Sequence, residues 1–265
     1  MTELERPKRV LVSGAAGGVG TAVAKRFAAD GAGVALTDIN KESLERVATE
    51  VGGHAFVADG TKREALAEVV ASARDALGGL DAVIAAQGAN IPSTLSARGQ
   101  DAWTASLDVN LNGAFHLTAE AMPHLVESGG SVVMISSSAG ILAGPPGTVG
   151  YTAAKTGLIG LVRWLAREYG PKGVRVNAVC PGWVRTPFGD GGMAYLAQRD
   201  GVTVEEAYAR ATQHVPLRRA AVPDEIAGVC AFLASSDAAM VTGHTLVADG
   251  GAAIVDPSTS IFDIS

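Results

Sequence analysis

The sequence predicts an α/β fold: one doubly wound domain with a seven-stranded parallel sheet flanked by helices. Two observations predict it. Short apolar runs alternate with helical patterns along the whole chain of 265 residues, which is the rhythm of successive strand–helix–strand units. The apolar runs are continuous rather than alternating, as strands buried on both faces require. Apolar residues make up 48% and charged residues 18%, which is enough for one large core and argues against disorder.

The elements follow in order. RVLVSG is the first strand and ends at a glycine cluster, before a helical pattern from Val19 to Asp30. GVALTD is the second strand, with a helix from near Lys41. HAFVAD is the third, followed by the helical TKREALAEVVASARDAL, and LDAVIAAQG is the fourth. A long helix is expected over about 101–127, with Pro123 near its end, then the strand SVVMISS. A helix over about 150–169 leads to the strand GVRVNAVC. A longer non-strand insert is expected from Pro181 to about Pro216, in which Thr203-x-x-Glu206 has the form of a capping box. A helix from Asp224 to about Ala234 and the strand HTLVAD close the pattern. No linker or internal repeat interrupts it, so residues 1–265 are expected to form a single domain.

Charge and composition narrow the function classes. The net charge is −6 without a basic tract, so nucleic acid and anionic membranes are poor partners. Cys180 and Cys230 have neither disulfide nor zinc spacing, and no metal site is expected. The amino-terminal segment is charged, and no stretch approaches the length of a bilayer span. A cytoplasmic setting is the expectation. The histidines at 54, 116, 124, 214 and 244 match no hydrolase signature, and G-x-S-x-G is absent. Cys180 is expected to be a buried, inert thiol.

Two local patterns carry chemistry. The first strand runs into SGAAGGVG, which contains Gly14, Gly18, Val19 and Gly20. Glycine there lets backbone approach a pyrophosphate, and the following helix offers free N–H groups and a favourable dipole. A tight turn without ligand is the plain alternative. Asp38 ends the second strand, 18 residues past Gly20. A carboxylate at that distance accepts hydrogen bonds from ribose hydroxyls and repels a 2′-phosphate, which favours NAD over NADP. Lys41 stands close enough to leave NADP open. The second pattern is Tyr151 and Lys155, four apart and so on one helix face. A free tyrosine has a pKa of about 10, and a neighbouring ammonium lowers it toward the range of a useful base. Taken alone, Y-x-x-x-K arises often by chance.

In combination, SGAAGGVG, DVNLNG, ISSSAG, YTAAK, NAVCPGWVRTP and VTGHTLVADGG resemble the short-chain dehydrogenase/reductase family in order and separation, over nearly the whole chain. The resemblance implies a Rossmann-type fold and an NAD-dependent oxidoreductase. Hydride would pass between nicotinamide and a secondary alcohol or ketone. It implies Tyr151 as acid/base, Lys155 as the residue that lowers its pKa and contacts the nicotinamide ribose, and Asn110 as a holder of water on a proton path. Asn110 has a structural hydrogen-bonding role as its alternative. The resemblance further implies cofactor contacts from Pro181, Gly182, Val184 and Thr186, and from Asp59 near the adenine. A homotetramer is likewise a family expectation.

A serine of the 136–138 run orients the substrate oxygen in the family. The S-x-A-G context selects Ser137, whereas the family's usual interval selects Ser138, thirteen positions before Tyr151. One inserted residue in GPPGTVG reconciles them, so Ser137 is the choice. The chain departs from the family at Ala85-Ala86-Gln87-Gly88, where NNAG is common, which leaves Gly88 as the firm site residue there. Gly60 follows Asp59 where a larger residue is usual.

The insert at about 187–215 resembles the family's substrate lid. Its glycines near 189–192 suggest a hinge, and Tyr195, Leu196, Val204 and Tyr208 are candidates to face a pocket. A helical lid packed on itself is the equal alternative. Reduction of 3-oxoacyl thioesters or polyketides is the second enzymatic reading, and a positive patch at the pocket mouth would favour it. A redox-silent dinucleotide sensor is the non-enzymatic one.

Overall fold

The computed structural model describes residues 6–95, 102–256 and 258–259. Seven parallel strands form one sheet in the order β3-β2-β1-β4-β5-β6-β7: β1 (Arg9–Ser13), β2 (Gly33–Asp38), β3 (His54–Val57), β4 (Ala82–Ala85), β5 (Ser131–Ile135), β6 (Arg175–Pro181) and β7 (Thr245–Ala248). The helices between them are α1 (Gly18–Ala29), α2 (Lys41–Val51), α3 (Arg63–Leu77), α4 (Ala102–Leu107), α5 (Gly113–Ser128), α6 (Val149–Tyr169), α7 (Pro187–Asp200), α8 (Val204–Ala211) and α9 (Pro223–Ala234).

The period of two along each strand divides the core. In β1, Val10 and Val12 join the layer made with α1, α2 and α9, while Leu11 joins the layer made with α3, α5 and α6. The strand order reverses between β1 and β4, whose neighbours lie on opposite sides. A crevice opens at the carboxyl ends of the strands at such a reversal, and ligands bind there in open α/β sheets.

Two expectations are corrected in detail. The helix expected over 101–127 is interrupted: α4 ends at Leu107, residues Asp108–Asn112 form a π turn, and α5 resumes at Gly113. Residue 101 itself lies outside the described residues. Pro181 does not open the insert but ends β6, paired with Ala248 of β7. The region after it holds two helices, α7 and α8. Thr203 caps α8 through the expected box, its hydroxyl accepting from Glu206 N at 3.2 Å while Glu206 accepts from Thr203 N at 2.8 Å.

The lid glycines are also not a hinge. Gly189, Gly191 and Gly192 lie inside α7. A Cβ on Gly189 would stand 2.2 Å from the Val184 carbonyl oxygen, so glycine is needed there for close packing. Tyr208 is buried with Met193, Ala197 and Ala207, and its hydroxyl donates to Asp190 at 2.8 Å. Leu196 and Val204 pack on the same small core, and Tyr195 is exposed. None of Tyr195, Leu196, Val204 and Tyr208 lines the crevice. Helical periodicity turned Leu196, Val204 and Tyr208 toward one small core and left Tyr195 outside it, which the spacing of single residues could not reveal.

Among the described residues, no helix is long and apolar enough to cross a membrane, and no group of side chains is arranged to hold a metal.

Candidate active site

The crevice is a cavity of about 540 Å³ that runs from the glycine turn to Tyr151. Its floor is set by the exits of β1, β4, β5 and β6. Gly14 has φ +64°, and a Cβ on it would stand 2.6 Å from the backbone nitrogen of Gln87 at the exit of β4. Gly18 receives Thr186, whose Cγ2 would be 2.5 Å from a Cβ. Gly20 is pressed against the turn itself, since its Cβ would lie 2.1 Å from the Gly14 carbonyl oxygen. The three glycines thus meet three different neighbours.

No side chain caps the start of α1. Its first-turn N–H groups, at Gly18, Val19 and Gly20, have no partner within the helix, and all three residues line the cavity. This uncapped terminus carries a partial positive charge. Together with a cradle that side chains would fill, it fits the pyrophosphate of a dinucleotide. Asp38 lies at the neighbouring strand end, with its carboxylate accepting from Ala16 N at 3.1 Å and Asn40 N at 2.9 Å. Asp59 accepts from Thr61 N at 2.9 Å, and that bond with the Thr61 hydroxyl holds its carboxyl below the ordinary range. Neither aspartate lines the cavity.

At the far end, α6 begins beside β5 and presents Tyr151 and Lys155. The three serines separate by environment. Ser136 is buried and donates to the Lys155 carbonyl at 2.8 Å, so it fastens β5 to α6. Ser137 is the side chain that opposes the upward shift of the Tyr151 phenol, and its hydroxyl accepts from Ala139 N at 3.1 Å. Ser138 opens a 3₁₀ turn and lines the cavity.

Burial pushes the Tyr151 phenol above its ordinary range, against the bond with Ser137. Burial likewise pushes the Lys155 ammonium down to about 8. Lys155 Nζ donates to the Ile135 carbonyl at 2.8 Å and lies 5.6 Å from the centre of the Tyr151 ring. Desolvation is the largest influence on the phenol, and the ammonium is turned to backbone.

Asn110 sits in the π turn, a helical irregularity often found at functional sites. Both of its amide N–H groups are engaged: Nδ2 donates to Ala89 O and Ser106 O at 2.9 Å each, and Oδ1 accepts from Ala89 N at 3.1 Å. Gly88 leaves room for both Asn110 and Lys155, whose polar atoms would be 3.0 and 3.3 Å from a Cβ there. The structure thus gathers Gly88, Asn110 and Lys155, and separately Ser137 and Tyr151. Pro181, Gly182, Val184 and Thr186 line the wall between the two ends. Thr186 also caps α7, its hydroxyl accepting from Gly189 N at 3.1 Å.

Several lining residues have no counterpart in the sequence reading. Gln87 accepts from the Ser13 hydroxyl, while its buried Nε2 lacks a hydrogen-bond partner. Gly17, Asn90, Leu142, Trp183 and Phe188 complete much of the wall. The Phe188 and Tyr151 ring centres are 6.0 Å apart. Trp183 and Phe188 stand directly beside Gly182 and Pro187. That adjacency to the PG segment was the available signal.

Comparisons with known proteins agree over almost the full length. The family model described as enoyl-(acyl carrier protein) reductase matches residues 14–253. Protein MoaE of Klebsiella aerogenes is 41% identical over 258 residues, 96% of this chain and 98% of that protein. The 3-oxoacyl-[acyl-carrier-protein] reductase FabG of Thermotoga maritima is 34% identical over 253 residues, 93% of this chain and 98% of its own. The crystal structure of levodione reductase superposes with a TM-score of 0.87 at 31% identity, covering 95% of this chain and 100% of that one.

Proposed function

This chain belongs to the short-chain dehydrogenase/reductase family and is an oxidoreductase, and from that premise we propose that it is NAD-dependent and interconverts a secondary alcohol and its ketone. The observation that carries the reading is the placement of Ser137 and Tyr151 in one cavity with the uncapped start of α1. A nicotinamide, when bound, takes up or returns the two-electron hydride of the alcohol carbon.

The residues of the chain do the rest. Gly14, Gly18, Val19 and Gly20 hold the pyrophosphate on backbone N–H groups. Asp38 and Asp59 serve the adenosine end, and Gly88 the space between. Pro181, Gly182, Val184 and Thr186 shape the nicotinamide end. Tyr151 takes the hydroxyl proton during oxidation and returns it to the carbonyl oxygen during reduction. Ser137 orients that oxygen. Lys155 lowers the pKa of the phenol and contacts the nicotinamide ribose, and Asn110 holds a water on a proton path through the lysine. A screen of secondary alcohols with NAD, followed by NADH absorbance, tests the reading; absence of turnover across the screen overturns it.

Two substitutions test individual assignments. Ser137→Ala is expected to lower kcat/KM about a hundredfold, in the range of a lost transition-state hydrogen-bond donor. Ser138→Ala is expected to cost less than about threefold, because no bond joins it to the phenol. The reverse order in steady-state kinetics reassigns the serine. For the cofactor, catalytic efficiency with NAD is expected to exceed that with NADP, and Asp38→Ser is expected to narrow the ratio at least about tenfold by removing like-charge repulsion. A wild-type preference for NADP contradicts the assignment.

The 3-oxoacyl-thioester reading has one observation in its favour, the 34% identity to a reductase of that name. Among the described residues, Lys155 is the one cation lining the cavity, and it is buried. The positive mouth that would support a carrier-linked substrate is therefore lacking among those residues.

A further inference from the structure

The half of the cavity beyond Tyr151 has walls of a single character. Leu142, Ala143, Pro145, Trp183 and Phe188 all line the cavity. The polar groups near them, including Asn90 and Thr148, are neutral. Among the described lining residues only Tyr151 and Lys155 are ionisable, and Lys155 is 3% exposed and bonded to the Ile135 carbonyl. An anionic substituent entering this half would lose its hydration without gaining a counter-charge, which is costly.

The aromatic side is mounted on rigid backbone. Pro187 occupies the first turn of α7, where its fixed φ suits the helix, and Thr186 caps that turn. Phe188 follows, with one face toward Tyr151 and about half of its surface open, at 49%. Gly192 accommodates the Trp183 indole, whose Cζ3 and Cη2 would be 3.3 Å from a Cβ. Leu142, which lines the same cavity, is also 49% exposed. Two half-open apolar side chains thus flank the Ser137–Tyr151 pair.

We infer that the substrate is a neutral ketone or secondary alcohol whose body is an apolar ring, seated between Phe188 and Leu142 with its oxygen at Ser137 and Tyr151, and that Phe188 sets this preference. The inference rests on the alcohol–ketone reading above and adds the class of substrate. An aromatic or alicyclic ring matches flat aromatic walls by offset or edge contact. A carboxylate on the same ring has no partner among the described lining residues.

The test uses a matched pair, acetophenone and 4-acetylbenzoate, with 2-butanone as the small acyclic reference. In NADH-dependent reduction, kcat/KM for acetophenone is expected to exceed that for 4-acetylbenzoate about a hundredfold. Phe188→Ala is expected to lower the ratio of acetophenone to 2-butanone efficiency about tenfold. Equal or better use of 4-acetylbenzoate, or an unchanged ratio in Phe188→Ala, overturns the inference while leaving the redox reading intact. Calorimetric binding of the two ring compounds in the presence of NAD separates the other failure. If no ketone is reduced, the redox reading falls. The pocket assignment then stands only if acetophenone binds more tightly than 4-acetylbenzoate and loses about tenfold in Phe188→Ala, and it falls if either difference is absent.

Discussion

Tyr151→Phe is expected to lower kcat about a thousandfold while leaving the dissociation constant for NAD within a few-fold of wild type. The substitution removes one oxygen and keeps the ring, so the packing of α6 against β5 and the contact with Phe188 persist. What is lost is the proton acceptor in oxidation and donor in reduction, and a positioned acid or base contributes roughly 10²–10⁴ in rate. The pH profile supplies a second readout. Burial raises the Tyr151 phenol above its ordinary range, so the proton is held at neutral pH. Reduction is then served by the form present at neutral pH. Oxidation in the wild type is expected to quicken as pH rises toward the phenol's pKa, and the residual activity of Tyr151→Phe is expected to lack that rise. Retained wild-type turnover in the phenylalanine variant removes Tyr151 from the mechanism.

Gly20→Ala is the substitution expected to damage the cofactor site most. The added carbon would lie 2.1 Å from the Gly14 carbonyl oxygen and 2.9 Å from the Ala15 Cα. These are backbone atoms, which cannot swing aside as a flexible side chain would. Either α1 withdraws from the turn or the turn opens, and both displace the first-turn N–H groups from the cavity. Affinity for NAD is expected to fall at least about a hundredfold. Overpacking of this kind costs roughly 1–3 kcal/mol, which corresponds to a fall in Tm of about 2–12 °C at this chain length. Calorimetry of NAD binding beside thermal unfolding separates the two effects. Gly60→Ala is the control for glycine replacement itself, because a Cβ there meets nothing within 4 Å. Unchanged NAD affinity in Gly20→Ala rules out the turn as the phosphate site.

The alternation of apolar runs and helical patterns was legible because the central strands β1, β4, β5 and β6 are covered on both faces. Parallel pairing imposes that burial, and so RVLVSG, LDAVIAAQG and SVVMISS all read as continuous apolar stretches. The glycine turn was legible for a related reason, since close backbone approach admits one residue type. Gly17 escaped notice, although it lines the same cavity. The lid left two readings open. Tyr195, Leu196, Val204 and Tyr208 carry apolar surface suited to a pocket or to a small core, and the sequence contains no statement of which. The actual wall residues, Trp183 and Phe188, were hidden in a segment that looked like punctuation around Pro181, Gly182 and Pro187.

By itself the sequence determined the strand count, the order of elements, the glycine-rich junction and the four-residue spacing of Tyr151 and Lys155, because each is a local or periodic property of the chain. Only the tertiary structure decided the separate surroundings of the three serines. The three hydroxyls are consecutive, but the end of β5 sends Ser136 to the α6 backbone, Ser137 to the phenol and Ser138 into a 3₁₀ turn. It also decided that Lys155 turns to the Ile135 carbonyl and that Phe188 faces Tyr151. Those outcomes depend on directions taken by side chains across elements far apart in the chain, and spacing along the chain does not encode direction.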